Sequence, residues 1–205
     1  VSGTSISFGS EYVFSAVNTT ARISIKKDPN ATDIFVVAYA DNVSNVAKAV
    51  VGTVSGNSIS YGSATIYESS FVNWCGVSFD PSTANKFAIM FGTSSTLQAI
   101  IGTRSGTSIS FGSAASIQSN SVTHPAVAYD LNTANRFVVA YRNDGNSNYG
   151  TATVCTVSGS TITVGTSYVY NPYLSNYSAI CFDSNNSGKF TVSFGMSATG
   201  GTILG

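Results

Sequence analysis

Charge is what this chain has least of. Only 9% of its 205 residues are Asp, Glu, Lys or Arg, against about a quarter in an ordinary soluble domain. Formal net charge is zero, and Lys26–Lys27 is the longest basic run. A nucleic-acid surface needs clustered cations to displace counterions, so no nucleic-acid partner is expected. Glutamate is confined to Glu11 and Glu68, too few for the paired carboxylates of a glycosidase. The three cysteines, Cys75, Cys155 and Cys181, form no C-x-x-C pair. Their odd number and spacing argue against a disulfide framework or a zinc site, and they read as small buried hydrophobes. No apolar run approaches the ~20 residues of a membrane helix, so no membrane insertion is expected. Helical apolar spacing is missing too, and no leader peptide is visible. Residue 1 falls inside a repeat, which reads as a fragment or a processed piece.

What fills the chain instead is Ser, Thr, Asn, Gly and β-branched residues, arranged four times over. VSGTSISFGS at 1–10 returns as VSGNSISYGS at 54–63, RSGTSISFGS at 104–113 and VSGSTITVGT at 157–166. Self-similarity at roughly 50 residues marks an array of supersecondary units that bury their apolar faces on one another. The repeats run approximately 1–53, 54–103, 104–156 and 157–205.

Each unit reads as four strands. VSFDPSTAN (77–85), VAYDLNTAN (127–135), ICFDSNNSG (180–188) and IKKDPNATD (25–33) carry a strand A that ends at a turn. Asp28, Asp80, Asp130 and Asp183 open those turns in the manner of Asx or type I turns. One carboxylate per turn makes a poor hard-cation site, so no metal is expected there. Strand B follows as IFVVAY (34–39), FAIMF (87–91), FVVAY (137–141) and FTVSF (190–194). Its nearly continuous apolar character means both faces are covered. Strand C (LQAIIGT at 97–103) leads through a glycine turn to strand D, SISFGS. The alternation of D places one face in water, as on an outer strand.

Four-stranded antiparallel units of this length are the blades of a β-propeller. The expected fold is all-β, a β-propeller of four four-stranded antiparallel blades. The chain opens on a D strand (Ser5 to Phe14) and ends on a C strand (Thr202 to Leu204). The N-terminal strand is therefore expected to pair with the C-terminal blade and close the ring, removing two exposed edges. A part of a larger propeller, or a ring shared between chains, is the alternative.

Aligned on the turn Asp, the units differ most six residues earlier, where Arg22, Trp74, His124 and Tyr177 stand. The only Trp and the only His share this slot. It lies at the entrance to strand A, on one rim of the ring. Aromatic faces and planar hydrogen bonders suit sugar rings, so these four are the candidate ligand-binding residues; the competing reading is a plug over the channel. His124 lacks the partners of a triad, and no catalytic residue is expected. The B–C loops ADNVSNVAK (40–48) and RNDGNSNYG (142–150) hold Asn and Asp, but GTSSTLQ (92–98) has no carboxylate. A repeated calcium site is thereby excluded, and no cofactor is expected. In the first unit Lys26 and Lys27 replace Ser78/Phe79, Ala128/Tyr129 and Cys181/Phe182. That inner strand is either irregular or meets a wet channel or a partner.

The runs at 47–63, 97–113 and 127–164 resemble a tandem repeat of marine bacteriophage structural proteins and related marine bacterial sequences. The resemblance is strong in the middle two units and looser in the outer two. It implies a non-enzymatic structural or adhesion module on a virion surface, in a tail fibre or a capsid decoration. Implied partners are other virion structural proteins or copies of the same chain, with host cell-surface glycan as ligand. The implied location is the virion surface or the extracellular space. A secreted propeller lectin or a bacterial adhesin is the alternative.

Overall fold

A computed structural model describes residues 4, 5, 8–17, 19–196 and 200–205; the side chains at 20, 21 and 200–204 lie outside that description. The described residues form strands, turns and loops, with no helix. The strands make four antiparallel sheets. The first holds β1 (Thr19–Lys27), β2 (Ile34–Asp41), β3 (Val46–Ser55), β4 (Ser58–Tyr61) and β5 (Thr65–Glu68). The second holds β6 (Trp74–Phe79), β7 (Lys86–Gly92), β8 (Leu97–Ser105), β9 (Ser108–Phe111) and β10 (Ala115–Gln118). The third holds β11 (Val122–Tyr129), β12 (Arg136–Asn143), β13 (Tyr149–Ser158) and β14 (Thr161–Leu174). The fourth holds β15 (Asn176–Phe182), β16 (Phe190–Gly195) and β17 (Gly200–Leu204). The arrangement is propeller-like: each inner strand packs on the next in the order β1, β6, β11, β15.

The doubly apolar B strands are explained by this stacking. In β2, Val36, Ala38 and Ala40 face the second sheet, packing with Val77, Phe87 and Phe91. The alternate residues Phe35, Val37 and Tyr39 face the other way. In the second sheet, Phe87, Ile89 and Phe91 look back and Ala88 and Met90 look forward to Tyr129, Phe137 and Tyr141. Burying one such side chain is worth about 1.5–3 kcal/mol, so each B strand ties two sheets together.

Strand D is longer than the SISFGS signal. In the first two sheets it is broken into two pieces that pair with the same C strand: β4 and β5 on β3, β9 and β10 on β8. In the third it is one bulged strand, β14. The stretches TIYE and ASIQ are thus part of the outer strand. The repeated glycine of SISFGS has a contact role as well. A Cβ on Gly62 would overlap the Thr107 carbonyl of the next hairpin, and one on Gly112 that of Ser160. Only glycine lets the two backbones approach so closely.

No closed ring is formed by the described residues, and the expected closing strand is met only in part. Ser5 sits in a single bridge and 8–17 are not strand, while residues 1–3, 6 and 7 lie outside the described residues. Phe14 instead packs on the first sheet, 5.1 Å from Tyr39 and 6.2 Å from Tyr61 between ring centroids. The cysteine expectation also needs correction. Cys155 is buried and Cys75 half-buried, but Cys181 is exposed. It lines the pocket between the four inner strands, with Ile180 and Phe182.

Candidate binding site on the rim

The four inner strands have two unlike ends. At one end the Asp residues make the same turn four times. Asp28, Asp80, Asp130 and Asp183 accept the backbone N–H two residues on, from Asn30, Ser82, Asn132 and Asn185, at 2.7–2.9 Å. Neighbouring turns are also linked. The Asn30 amide donates to the Asp80 carbonyl (3.3 Å) and the Asn132 amide to the Asp183 carbonyl (2.9 Å). Arg104 reaches Asp28 at 3.2 Å, and Arg136 pairs with Asp130. Burial works against the Asp130 carboxylate, but the Asn132 N–H and the Arg136 guanidinium outweigh it and lower its pKa. This end encloses a pocket of about 240 Å³ lined by all four inner strands, through Lys26, Ser78, Ala128 and Cys181 among others.

At the other end stand Arg22, Trp74, His124 and Tyr177, and the structure brings all four together. The Arg22 guanidinium carbon lies 3.6 Å from the Trp74 ring centroid. Trp74 and His124 are 5.0 Å apart, His124 and Tyr177 4.1 Å. They form one continuous stack that steps from sheet to sheet. Trp74 opens a regular strand, with Trp74 opposite Gly92. The other three slots fall within register shifts: Thr19/Ile23 in β1, Thr123/Ala126 in β11, Asn176/Ala179 in β15. A bulge bends the strand and re-aims its side chain. At β11 Pro125 fits the bulge, where no ladder N–H is required.

Two members are held in a backbone conformation that side chains avoid. His124 has φ 52° and Tyr177 φ 54°. A bulky residue there costs of order 1–3 kcal/mol and persists only where its surroundings impose it. His124 has a buried Nδ1 without a hydrogen-bond partner among the described residues. Burial, then the charges of Arg142 and Arg22, depress its pKa against a weaker pull from Asp144. The imidazole is therefore neutral near pH 7. The faces of Trp74 and His124 are taken by their neighbours in the stack. Tyr177, 74% exposed, caps it.

Polar groups of the B–C loop at 142–150 stand beside Tyr177. Arg142 donates to Asp144 Oδ1 (2.6 Å) and to Asn176 Oδ1 (2.6 Å). The Thr123 hydroxyl donates to the same Asp144 Oδ1 (3.3 Å), and the Ser121 hydroxyl to Oδ2 (3.2 Å). Tyr168 and Tyr173 are also exposed, at 70% and 68%. Buried Asn171 and Ser175 brace the end of β14: Asn171 donates to Ser175 Oγ (2.8 Å), and Ser175 to the Tyr173 carbonyl (3.1 Å). The tyrosine density of YVYNPYLSNY (168–177), unmatched in other units, was the signal for it. The B–C loops are turns. Asp41 Oδ1 accepts the Val43 and Ser44 N–H groups while Oδ2 pairs with Lys48 at 2.6 Å. The described residues contain no cluster of three or more His, Cys, Asp or Glu able to hold a metal ion.

The architecture defines an all-β protein of propeller-like build. It is similar to the crystal structure of Saccharomyces cerevisiae Sqt1, with a TM-score of 0.53 and 10% sequence identity. The match covers 91% of this chain and 50% of Sqt1, so the chain spans half the length of that neighbour. At that identity the likeness speaks for the fold alone. No family model and no curated protein matches the sequence.

Proposed function

We propose that this chain is a non-enzymatic structural and adhesion module of a virion surface, and that its rim stack binds host-surface carbohydrate. The stack itself carries the reading. Four residues of unrelated chemistry, at the position where the copies diverge most, converge on one column that ends in an exposed ring. Stored strain at His124 and Tyr177 supports it, because strain of this kind concentrates at ligand clamps. A sugar ring stacks its C–H face on Tyr177, and its hydroxyls take the Asn176 amide and the Arg142 guanidinium. Among the described residues His124 Nδ1 has no hydrogen-bond partner, and Asp144 accepts from Arg142, Ser121 and Thr123. Virion proteins or further copies of the chain remain the structural partners, on a virion surface or outside the cell.

The finer architecture we infer is a ring of four blades, closed by the N-terminal segment as the outer strand of the fourth. Phe14 supports it. Relative to SISFGS it holds the position of Tyr67, Ile117 and Tyr170. Tyr67 packs on Phe91 and Tyr170 on Phe194, as Phe14 packs on Tyr39. Gly9 lies by the Asn57 carbonyl as Gly62 lies by that of Thr107. The segment thus sits on the first sheet as the D strand of a preceding blade would.

A glycan array with the wild type and Trp74→Ala tests the binding. Saturable binding by the wild type, weakened at least tenfold in the variant, is expected; no wild-type binding above background would remove it. Mass spectrometry of purified particles tests the location, and absence of the chain from particles would remove the viral reading. Closure predicts that residues 1–17 slow hydrogen exchange at the backbone amides of β17; equal exchange after their removal would contradict it.

A further inference from the structure

The pocket at the turn end has no role in the stack, and its lining is unusual for this chain. Its volume is about 240 Å³. Pro81, Leu131, Ile180 and Phe182 supply much of the wall, and the only charged residues in it are Lys26 and Lys27. Two adjacent cations in a lining without a carboxylate stand out in a chain with nine basic residues in all. They also break the repeat: the equivalent pairs are Ser78/Phe79, Ala128/Tyr129 and Cys181/Phe182.

The break has a structural cost. In the other sheets the second residue of the pair stacks on the start of strand B: Phe79 on Phe87, Tyr129 on Phe137, Phe182 on Phe190, at 5.2–5.4 Å. Lys27 cannot replace that ring against Phe35. Its ammonium donates instead to the carbonyls of Asp28 (3.1 Å) and Ala31 (2.6 Å). Lys26 is exposed, and among the described residues its ammonium has neither an ion pair nor a hydrogen-bond partner. Six of the other basic side chains are engaged: Lys48, Arg104, Arg136 and Arg142 with carboxylates, Lys86 with the Asn135 amide oxygen, and Arg22 with a ring.

We infer that this axial pocket binds a small carboxylic acid with an apolar body, its carboxylate on Lys26 and its body against Leu131, Ile180 and Pro81. The pairing is charge-complementary, and the neighbouring Lys27 adds to the field without competing for a partner in the protein. The walls come from four different strands, so the pocket exists only when all four sheets are assembled. The site is at the opposite end of the inner strands from Tyr177, so its fate is independent of the carbohydrate reading.

Titration of the full chain with phenylacetate, followed by calorimetry and by ligand-observed NMR, tests it. Phenylacetamide serves as the neutral isostere. Saturable phenylacetate binding is expected, at least tenfold tighter than the amide. Lys26→Gln is expected to weaken it at least tenfold and Lys26→Arg to keep it within about threefold. Leu131→Trp, at an exposed position, is expected to block the pocket without lowering the melting temperature. Absence of saturation by millimolar phenylacetate, equal binding of the amide, or undiminished binding by Lys26→Gln would each overturn the inference. Binding that survives Leu131→Trp in a folded variant would place the ligand elsewhere and overturn it too.

Discussion

The two ends of the inner strands obey different rules. At the turn end the four copies share the Asp and the backbone hydrogen bond it accepts. At the rim end no residue type is shared, and the side chains nevertheless meet. Agreement is what a fold requires of a repeat, since each Asp caps the same turn and each sheet must stack on the next. Disagreement at His124 and Tyr177 is bought with left-handed backbone that no turn there demands. The contrast separates the residues that build the blades from those whose role is to be presented.

The sharpest way to break that contrast is to strike the scaffold between sheets. Gly112→Ala drives a methyl into the Ser160 carbonyl, which cannot rotate away. A loss of about 2–3 kcal/mol in urea unfolding is expected. A silent Gly112→Ala would mean that the close approach of hairpins is not needed.

Within the turn end, burial grades the effect. Asp80 is fully buried, caps Ser82 and accepts the Asn135 N–H at 3.3 Å. Asp80→Ala should cost about 2 kcal/mol through orphaned donors. Asp183 makes the same cap in a more open setting, so Asp183→Ala should cost clearly less in the same assay. Equal losses would show that the four turns are not distinguished by burial.

At the rim end a change should touch stability little. Tyr177→Asn removes an exposed ring and places at φ 54° a residue that tolerates it. Stability within about 0.5 kcal/mol of wild type, or slightly above, is expected. A loss well beyond that would make Tyr177 a structural member.

The two ends should also titrate apart. The folded pKa of His124 lies below its ordinary value of 6.5. Its contribution is then full above 6.5 and is lost as pH falls through the lowered folded value, because the unfolded chain takes the proton first. The folded pKa values of Asp130 and Asp183 lie below 3.8. Their contributions are full above 3.8 and are lost only in stronger acid. His124→Gln should flatten the upper part of the stability–pH curve and leave the lower part unchanged. A slope near 6.5 that survives the substitution would exclude His124 as its source.

Much of this was legible in the residues. The strands A, B and C and the Asx turns follow from apolar runs and from an Asp at fixed spacing, which are local signals. The slot at 22, 74, 124 and 177 was found by asking where copies diverge. Its stacking was not legible, because bulges at three of the four strands re-aim the side chains. The break of strand D into two pieces was not legible, because TIYE and ASIQ are short and share little, so their pairing with β3 and β8 is set by the sheet. The constraint on the glycine of SISFGS was not legible locally, because it comes from the neighbouring hairpin, about 50 residues away. Cys181 was expected inside because free cysteine usually is, yet it is exposed at the wall of the turn-end pocket.

The central claim is that the divergent end recognises a ligand. Calorimetric titration of wild type and Tyr177→Asn with a glycan selected on the array tests it most directly. The account predicts binding by the wild type, at least tenfold weaker binding by the variant, and equal stability of the two. Undiminished binding by a fully folded Tyr177→Asn would contradict it.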